Sequence, residues 1–113
     1  MSFRIGSEHY GYNYNMMPGM QVYGNPVYEC DRGRDDKAGK LYLYFDGELR
    51  TWHAVQLVGE PGSAIDIVRL GSPAFRFVQQ EDDVRQPGEH NWQSYDAYEH
   101  KWWPPSAFMT TRL

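Results

Sequence analysis

Apolar positions in this chain alternate with polar ones instead of recurring at helical spacing. The clearest run is Leu41-Tyr42-Leu43-Tyr44-Phe45, which sets Leu41, Leu43 and Phe45 on one face of a strand and Tyr42 and Tyr44 on the other. Asp46-Gly47-Glu48 follows, and Asp-Gly is a strong hairpin signal. Residues 49–58 then read as the return strand, with Trp52, Ala54 and Val58 on one face and His53, Val55 and Leu57 on the other. Both faces are partly apolar, which fits a strand packed on two sides or set in a barrel wall. An antiparallel hairpin over 41–45 and 49–58 is therefore predicted.

Glycine and proline divide the rest into short pieces. Gly11-Tyr12-Asn13-Tyr14-Asn15 alternates aromatic and polar residues, and Pro18-Gly19 marks a turn. Residues 20–23 and 27–30 are short strands on either side of a Gly24-Asn25-Pro26 turn. The charged, glycine-containing segment 31–40 reads as an exposed loop. Segment 63–70 is ambiguous between strand and short helix, and its Ile65, Ile67 and Val68 favour strand. Residues 74–78 and 91–95 are further strands, separated by an acidic loop with Pro87-Gly88. The pattern predicts an all-β single small domain of six to seven short, mainly antiparallel strands, arranged as a barrel, sandwich or meander. Residues 1–10 are expected as an N-terminal extension, 11–97 as the β-domain and 98–113 as a tail containing Trp and Pro.

The chain has 113 residues, enough for one domain and one core. Aromatic residues make up 16% of it, so a modest apolar count can still build a core and disorder is not expected. The net charge of −4, with Lys and Arg scattered among carboxylates, argues against nucleic acid and anionic membranes as partners. No stretch approaches a membrane span, and Met1-Ser2-Phe3-Arg4-Ile5-Gly6 lacks the apolar region of a signal peptide. Cys30 is the single cysteine, so no internal disulfide can form. These features point to a cytoplasmic or other reducing intracellular compartment.

The order of turn and core residues resembles a small β-rich repeat module of algal and protist multidomain proteins. The resemblance is carried by Gly11-Tyr12, Gly24-Asn25-Pro26-Val27-Tyr28, the run from Gly39 to Phe45, Trp52, Gly62-Ser63-Ala64, Pro87 and Trp92. It spans roughly residues 11 to 97 and implies a β-rich building block with no assigned chemistry.

Reactive constellations are not legible. His9, His53, His90, His100 and Cys30 show none of the close spacings of metal ligands, and the repeated Glu89-His90 and Glu99-His100 pairs diverge because neighbours in sequence point apart. Asp31 beside Cys30 would raise its thiol pKa, which disfavours a thiolate nucleophile. Carboxylates cluster at Asp35-Asp36 and Glu81-Asp82-Asp83, a pattern usual for solvated loops. No nucleophile elbow or phosphate loop occurs. No catalytic residue, no metal and no cofactor are expected.

The aromatics are the remaining lead. Trp52 and Trp92 are assigned to the core. Trp102 and Trp103, next to Pro104-Pro105, are harder to bury together, because neighbours on a strand face opposite ways. The expected function is that of a non-enzymatic interaction module or small assembly subunit, binding a partner protein or a second copy through exposed aromatics. Its candidate binding residues are Trp102, Trp103, Tyr10, Tyr12, Tyr14, Tyr42 and Tyr44. A carbohydrate- or small-ligand-binding β-domain is one alternative, and an enzyme with an unfamiliar site is another. The closing Thr111-Arg112-Leu113 fits a peptide added to a sheet edge with its terminal Leu in a pocket, and partly matches a peroxisomal Ser-Lys-Leu address.

Overall fold

The alternating segments form strands that wrap into a closed barrel. The computed structural model describes residues 2–6, 11–30, 39–77 and 88–113. Within them lie β1 (Ser2–Gly6), β2 (Gly11–Val22), β3 (Asn25–Cys30), β4 (Lys40–Asp46), β5 (Thr51–Leu57), α1 (Ala64–Leu70), β6 (Ser72–Phe77), β7 (Gly88–Asp96), β8 (Lys101–Trp102) and β9 (Ser106–Arg112). Nine described strands replace the six to seven expected. The loops expected at 31–40 and 79–90 lie mostly outside the described residues, and residues 88–90 of the second belong to β7.

The predicted hairpin is present. β4 and β5 pair from Lys40↔Leu57 to Asp46↔Thr51. Its turn is longer than the Asp-Gly signal suggested, because the Asp46 side chain organises it. Asp46 Oδ1 accepts hydrogen bonds from the backbone N–H of Glu48 at 2.9 Å and of Leu49 at 3.2 Å, and Arg50 closes the turn at φ 56°. The β7–β8 turn repeats the device: Asp96 Oδ1 accepts from Tyr98 N–H and Glu99 N–H, and His100 sits at φ 54°. Between β2 and β3 the connection is a two-residue turn at Tyr23-Gly24, both at positive φ, one residue before the turn read from sequence.

Each strand from β1 to β7 pairs antiparallel with the next, β7 pairs with β9, and β9 pairs with β1. The ring therefore holds eight strands, with β8 prolonging the β9 line along β7. Segments 1–10 and 98–113, expected as an extension and a tail, thus supply the two strands that close the barrel. Pro104 and Pro105 do interrupt the ladder, as residues without a backbone donor must. The interruption is a bulge, however: the register of β7 moves by one residue between Tyr95↔Trp102 and Trp92↔Ser106, and the chain rejoins the sheet. Trp103 N–H donates to the Ser94 carbonyl at 2.8 Å and holds the bulge in place.

Inward positions form the main core of Phe3, Ile5, Tyr14, Tyr28, Cys30, Leu41, Leu43, Trp52, Ala54, Phe77 and Trp92. A second cluster covers the outside of β3, β4 and β5. It joins Val27, Tyr42, Tyr44, Val55 and Leu57 to Ile67 of α1, with Met17, Met20 and Val22 packed against them. This cluster explains two departures from the sequence reading. Segment 63–70 is a helix, not a strand, because Ala64, Ile67 and Val68 then share one face and meet the outer wall. Asp66 in its first turn accepts the Gly62 N–H at 2.8 Å. Pro18-Gly19 ends no strand; it lies in an irregularity of β2 between Met16 and Gln21, from which Met17 and Met20 reach the same cluster. Gly71 brings the helix exit against β5, where a Cβ would stand 2.4 Å from Val55 Cγ2.

Candidate functional site

An eight-stranded barrel is just wide enough for its side chains to fill, or to leave room for one small ligand. This one does both. The half walled by β3, β4 and β5 is filled by Tyr28, Leu43, Trp52 and Ala54. At the end where β1 stops and β2 starts, a cavity of ≈ 220 Å³ remains, lined by Ile5, Gly6, Gly11, Tyr12, Tyr14, Phe75, Trp92 and Phe108. Ring closure assembles this lining: Gly6 faces Gly11 across β1–β2, Gly6 faces Met109 across β1–β9, and Phe75 faces Ser94 across β6–β7. Gly6 and Gly11 border it as backbone, and the side that a Cβ of Gly11 would take is filled by the Arg4 guanidinium.

The lining is apolar and largely aromatic. Tyr14 is 3% exposed, and burial, with Cys30 and Tyr12 adding to it, pushes its hydroxyl far above the ordinary tyrosine value, so it stays a neutral phenol. Trp92 is also 3% exposed, and its Nε1–H has no hydrogen-bond partner among the described residues. Thr110, the next inward residue of β9 beyond Phe108 and opposite Ile5 of β1, likewise keeps an unpaired buried Oγ1. Both atoms have essentially no accessible surface, so packing encloses them and they do not open onto the cavity.

The aromatic residues singled out from sequence fall into separate places. Tyr12 and Tyr14 line the cavity from inside. Tyr42 and Tyr44 are buried in the outer cluster. Tyr10 lies outside the described residues. Trp102 is half-buried on the outer wall, edge-on to Tyr95 at 5.0 Å and beneath Arg76, whose Cζ stands 4.2 Å from the ring centre. Arg76 Nε also donates to Gln93 Oε1 at 2.7 Å. Trp103, at 45% exposure, is the one tryptophan among the described residues with a large face in solvent, and Lys101 Nζ lies 4.7 Å from its ring. Thr111 and Arg112 belong to β9 and pair with Arg4 and Phe3.

Beside Trp102 on the outer wall, His53 stacks on Tyr44 at 5.8 Å and faces Arg76 across β5–β6. Its Nε2 is 3.9 Å from Asp46 Oδ2, too far for a hydrogen bond. Burial lowers the His53 pKa below the ordinary imidazole value; Asp46 opposes the shift and Arg76 adds to it. The ring is neutral at neutral pH.

Among the described residues no three His, Cys, Asp or Glu side chains converge as a metal site, and no helix is long and apolar enough to cross a membrane. Sequence reasoning missed Ile5, Phe75 and Phe108 as site residues: Ile5 and Phe108 fall in the segments read as extension and tail, Phe75 in a strand of unassigned partner, and strand closure alone brings them together. Trp92 was read as core, and it is core and site wall at once. Comparison with family models, curated proteins and solved structures yields no match.

Proposed function

We propose that this protein binds a small, largely apolar molecule inside its barrel, between β1, β2, β6, β7 and β9. The observation that carries this reading is the apolar, aromatic-lined cavity of ≈ 220 Å³ inside the ring. An apolar cavity of roughly 150 Å³ takes up benzene, so the space here suits a substituted single ring. A sugar would need several polar partners, and the surface the described lining presents is almost wholly apolar. Binding is proposed rather than catalysis because that lining holds no Ser, Cys, His, Lys or carboxylate to serve as nucleophile or base. Titration of isotope-labelled protein with toluene tests the reading. Saturable shifts should centre on Ile5, Phe75, Trp92 and Phe108. Shifts that fail to saturate, or that centre on Trp102 and Trp103, would refute it.

A second reading, a protein partner or second copy docked through the β7–β8 hairpin, is favoured by one observation, the exposed Trp103 ring beside Lys101. Sedimentation of the native chain and of Trp103→Ala separates it from the first. A native dimer lost in the variant supports the docking surface and leaves toluene binding unchanged.

A further inference from the structure

We infer that His53 is a proton-operated latch on the β7–β8 hairpin. With the ring neutral, Arg76 holds the Trp102-Trp103 bulge against the wall; with the ring protonated, Arg76 is driven off and the bulge is released. The device lies on the outside of the barrel and works whatever the cavity holds.

Strand register builds the latch. Tyr44 pairs with His53, His53 with Arg76 and Arg76 with Gln93, so four outward side chains form one row across β4, β5, β6 and β7. Tyr44 stacks on the imidazole at one end. At the other end Arg76 Nε donates to Gln93 Oε1 at 2.7 Å, and Gln93 Nε2 donates to the Trp103 carbonyl at 3.3 Å. The Arg76 guanidinium also covers Trp102, with Cζ 4.2 Å from the ring centre. Arg76 therefore secures Trp102 by its face and Trp103 through Gln93. It does so where the sheet needs support, since the ladder along β7 stops at Trp102 and resumes at Ser106.

Charge decides when the latch opens. Among the described residues the charged groups acting on His53 are Asp46 on β4 and Arg76 on β6, one on each side, and Tyr44 is the titratable group stacked on it. The ring's Nε2 is buried without a hydrogen-bond partner, 3.9 Å from Asp46 Oδ2. A proton on the ring sets two cations opposite each other on neighbouring strands, a destabilising pair. Asp46 can answer one of them: its Oδ1 is committed to the N–H groups of Glu48 and Leu49, and its Oδ2 faces the imidazole. The imidazolium turns to Asp46, and the long, partly exposed Arg76 is the member that moves out to water. Its departure removes the cation–π contact from Trp102 and the support of Gln93 from Trp103 together. Burial and Arg76 hold the His53 pKa down against Asp46 while the latch is closed. Each pH unit between the closed and open values then favours opening about tenfold once the ring is charged.

An NMR pH titration of the full native chain, from above the ordinary imidazole value of 6.5 to well below it, tests the latch. The Trp102 and Trp103 indole signals should move with the midpoint of the His53 ring. Exchange protection of the Trp103 amide, which donates to the Ser94 carbonyl, should fall roughly tenfold over the same step. The Trp52 indole in the barrel interior should stay in place. His53→Gln should abolish the step, and His100→Gln, which removes the histidine of the hairpin's own turn, should keep it. Arg76→Gln should show the released signals already at neutral pH. Asp46→Asn retains an acceptor for the turn but no charge, so its step should move to lower pH. Should His53→Gln fail to fold, the Arg76→Gln and Asp46→Asn results decide. Tryptophan signals that stay still while His53 titrates, a step retained in His53→Gln, or a step lost in His100→Gln would each overturn the latch. So would a Trp52 signal that moves with the others, because the event would then be unfolding of the barrel.

Discussion

The two halves of the barrel wall are built differently. The wall of β3, β4 and β5 is apolar on both faces: Tyr28, Leu43, Trp52 and Ala54 point inward, and Val27, Tyr42, Val55 and Leu57 point outward under α1 and the irregular stretch of β2. The wall of β6, β7 and β9 sets Phe75, Phe77, Trp92 and Phe108 with Thr110 inside and carries Arg76, Gln93, Tyr95 and Trp102 outside. The first half is closely packed, with Tyr28, Tyr42, Val27 and Ile67 at 0% exposure. The second borders the cavity. Close packing and open space thus divide between the halves: a wall packed on both sides fixes the barrel, and the opposite wall borders a void that close packing would normally forbid.

The strongest way to break this arrangement is to remove the strand that joins the halves. Deleting residues 98–113 takes away β9, exposes an edge of β1 and an edge of β7, and opens the ring. The shortened chain should lose its dispersed NMR spectrum and its cooperative thermal transition. Retention of both would mean that the barrel does not depend on its last strand.

A pair of truncations measures the two halves against each other. Ile67→Ala empties a fully buried site under the outer wall and should cost about 2–4 kcal/mol in denaturant unfolding. Phe108→Ala removes a larger side chain, but one that is half-buried and already faces open space, so about 1–2 kcal/mol is expected. Ile67→Ala should leave toluene affinity unchanged where the protein is folded, and Phe108→Ala should shift the size of ligand preferred. Equal costs would erase the distinction drawn between the halves.

The smallest effect concerns the seam between the two walls on the outside. The folded protein resists protonation of His53, while the unfolded chain takes up that proton near the ordinary value of 6.5. Its contribution is therefore complete above that value and is lost as pH falls through the lowered folded-state value. Unfolding midpoints measured just above and well below the imidazole range should show a drop that is smaller in His53→Gln. An identical drop in both proteins would assign the pH dependence to other groups.

Much of the fold was legible in local sequence. The alternation of 41–45 and 49–58, apolar on both faces of the return strand, specified a hairpin in a doubly packed wall, and that is what β4 and β5 form. Gly24 stands in the β2–β3 turn, and Trp52 and Trp92, read as core, lie in the interior. Local signals failed where a distant partner decides. Ile65, Ile67 and Val68 suggest a strand by propensity, but no free strand edge awaits them, whereas an apolar outer wall awaits a helix. Residues 2–6 and 106–112 are short and only weakly patterned, so neither identifies itself as a barrel strand until the other lies beside it.

The sequence by itself determined the β class, the position of the main hairpin and which of its residues share a face, because the two-residue period of a strand is a local property. Tertiary structure alone decided that the barrel closes through its two terminal strands, that segment 63–70 is helical, and that Ile5, Tyr12, Phe75, Trp92 and Phe108 share one cavity. Those residues are spread over more than a hundred positions, and strand periodicity carries no information about register around a ring; only the pairing of β9 with β1 supplies it.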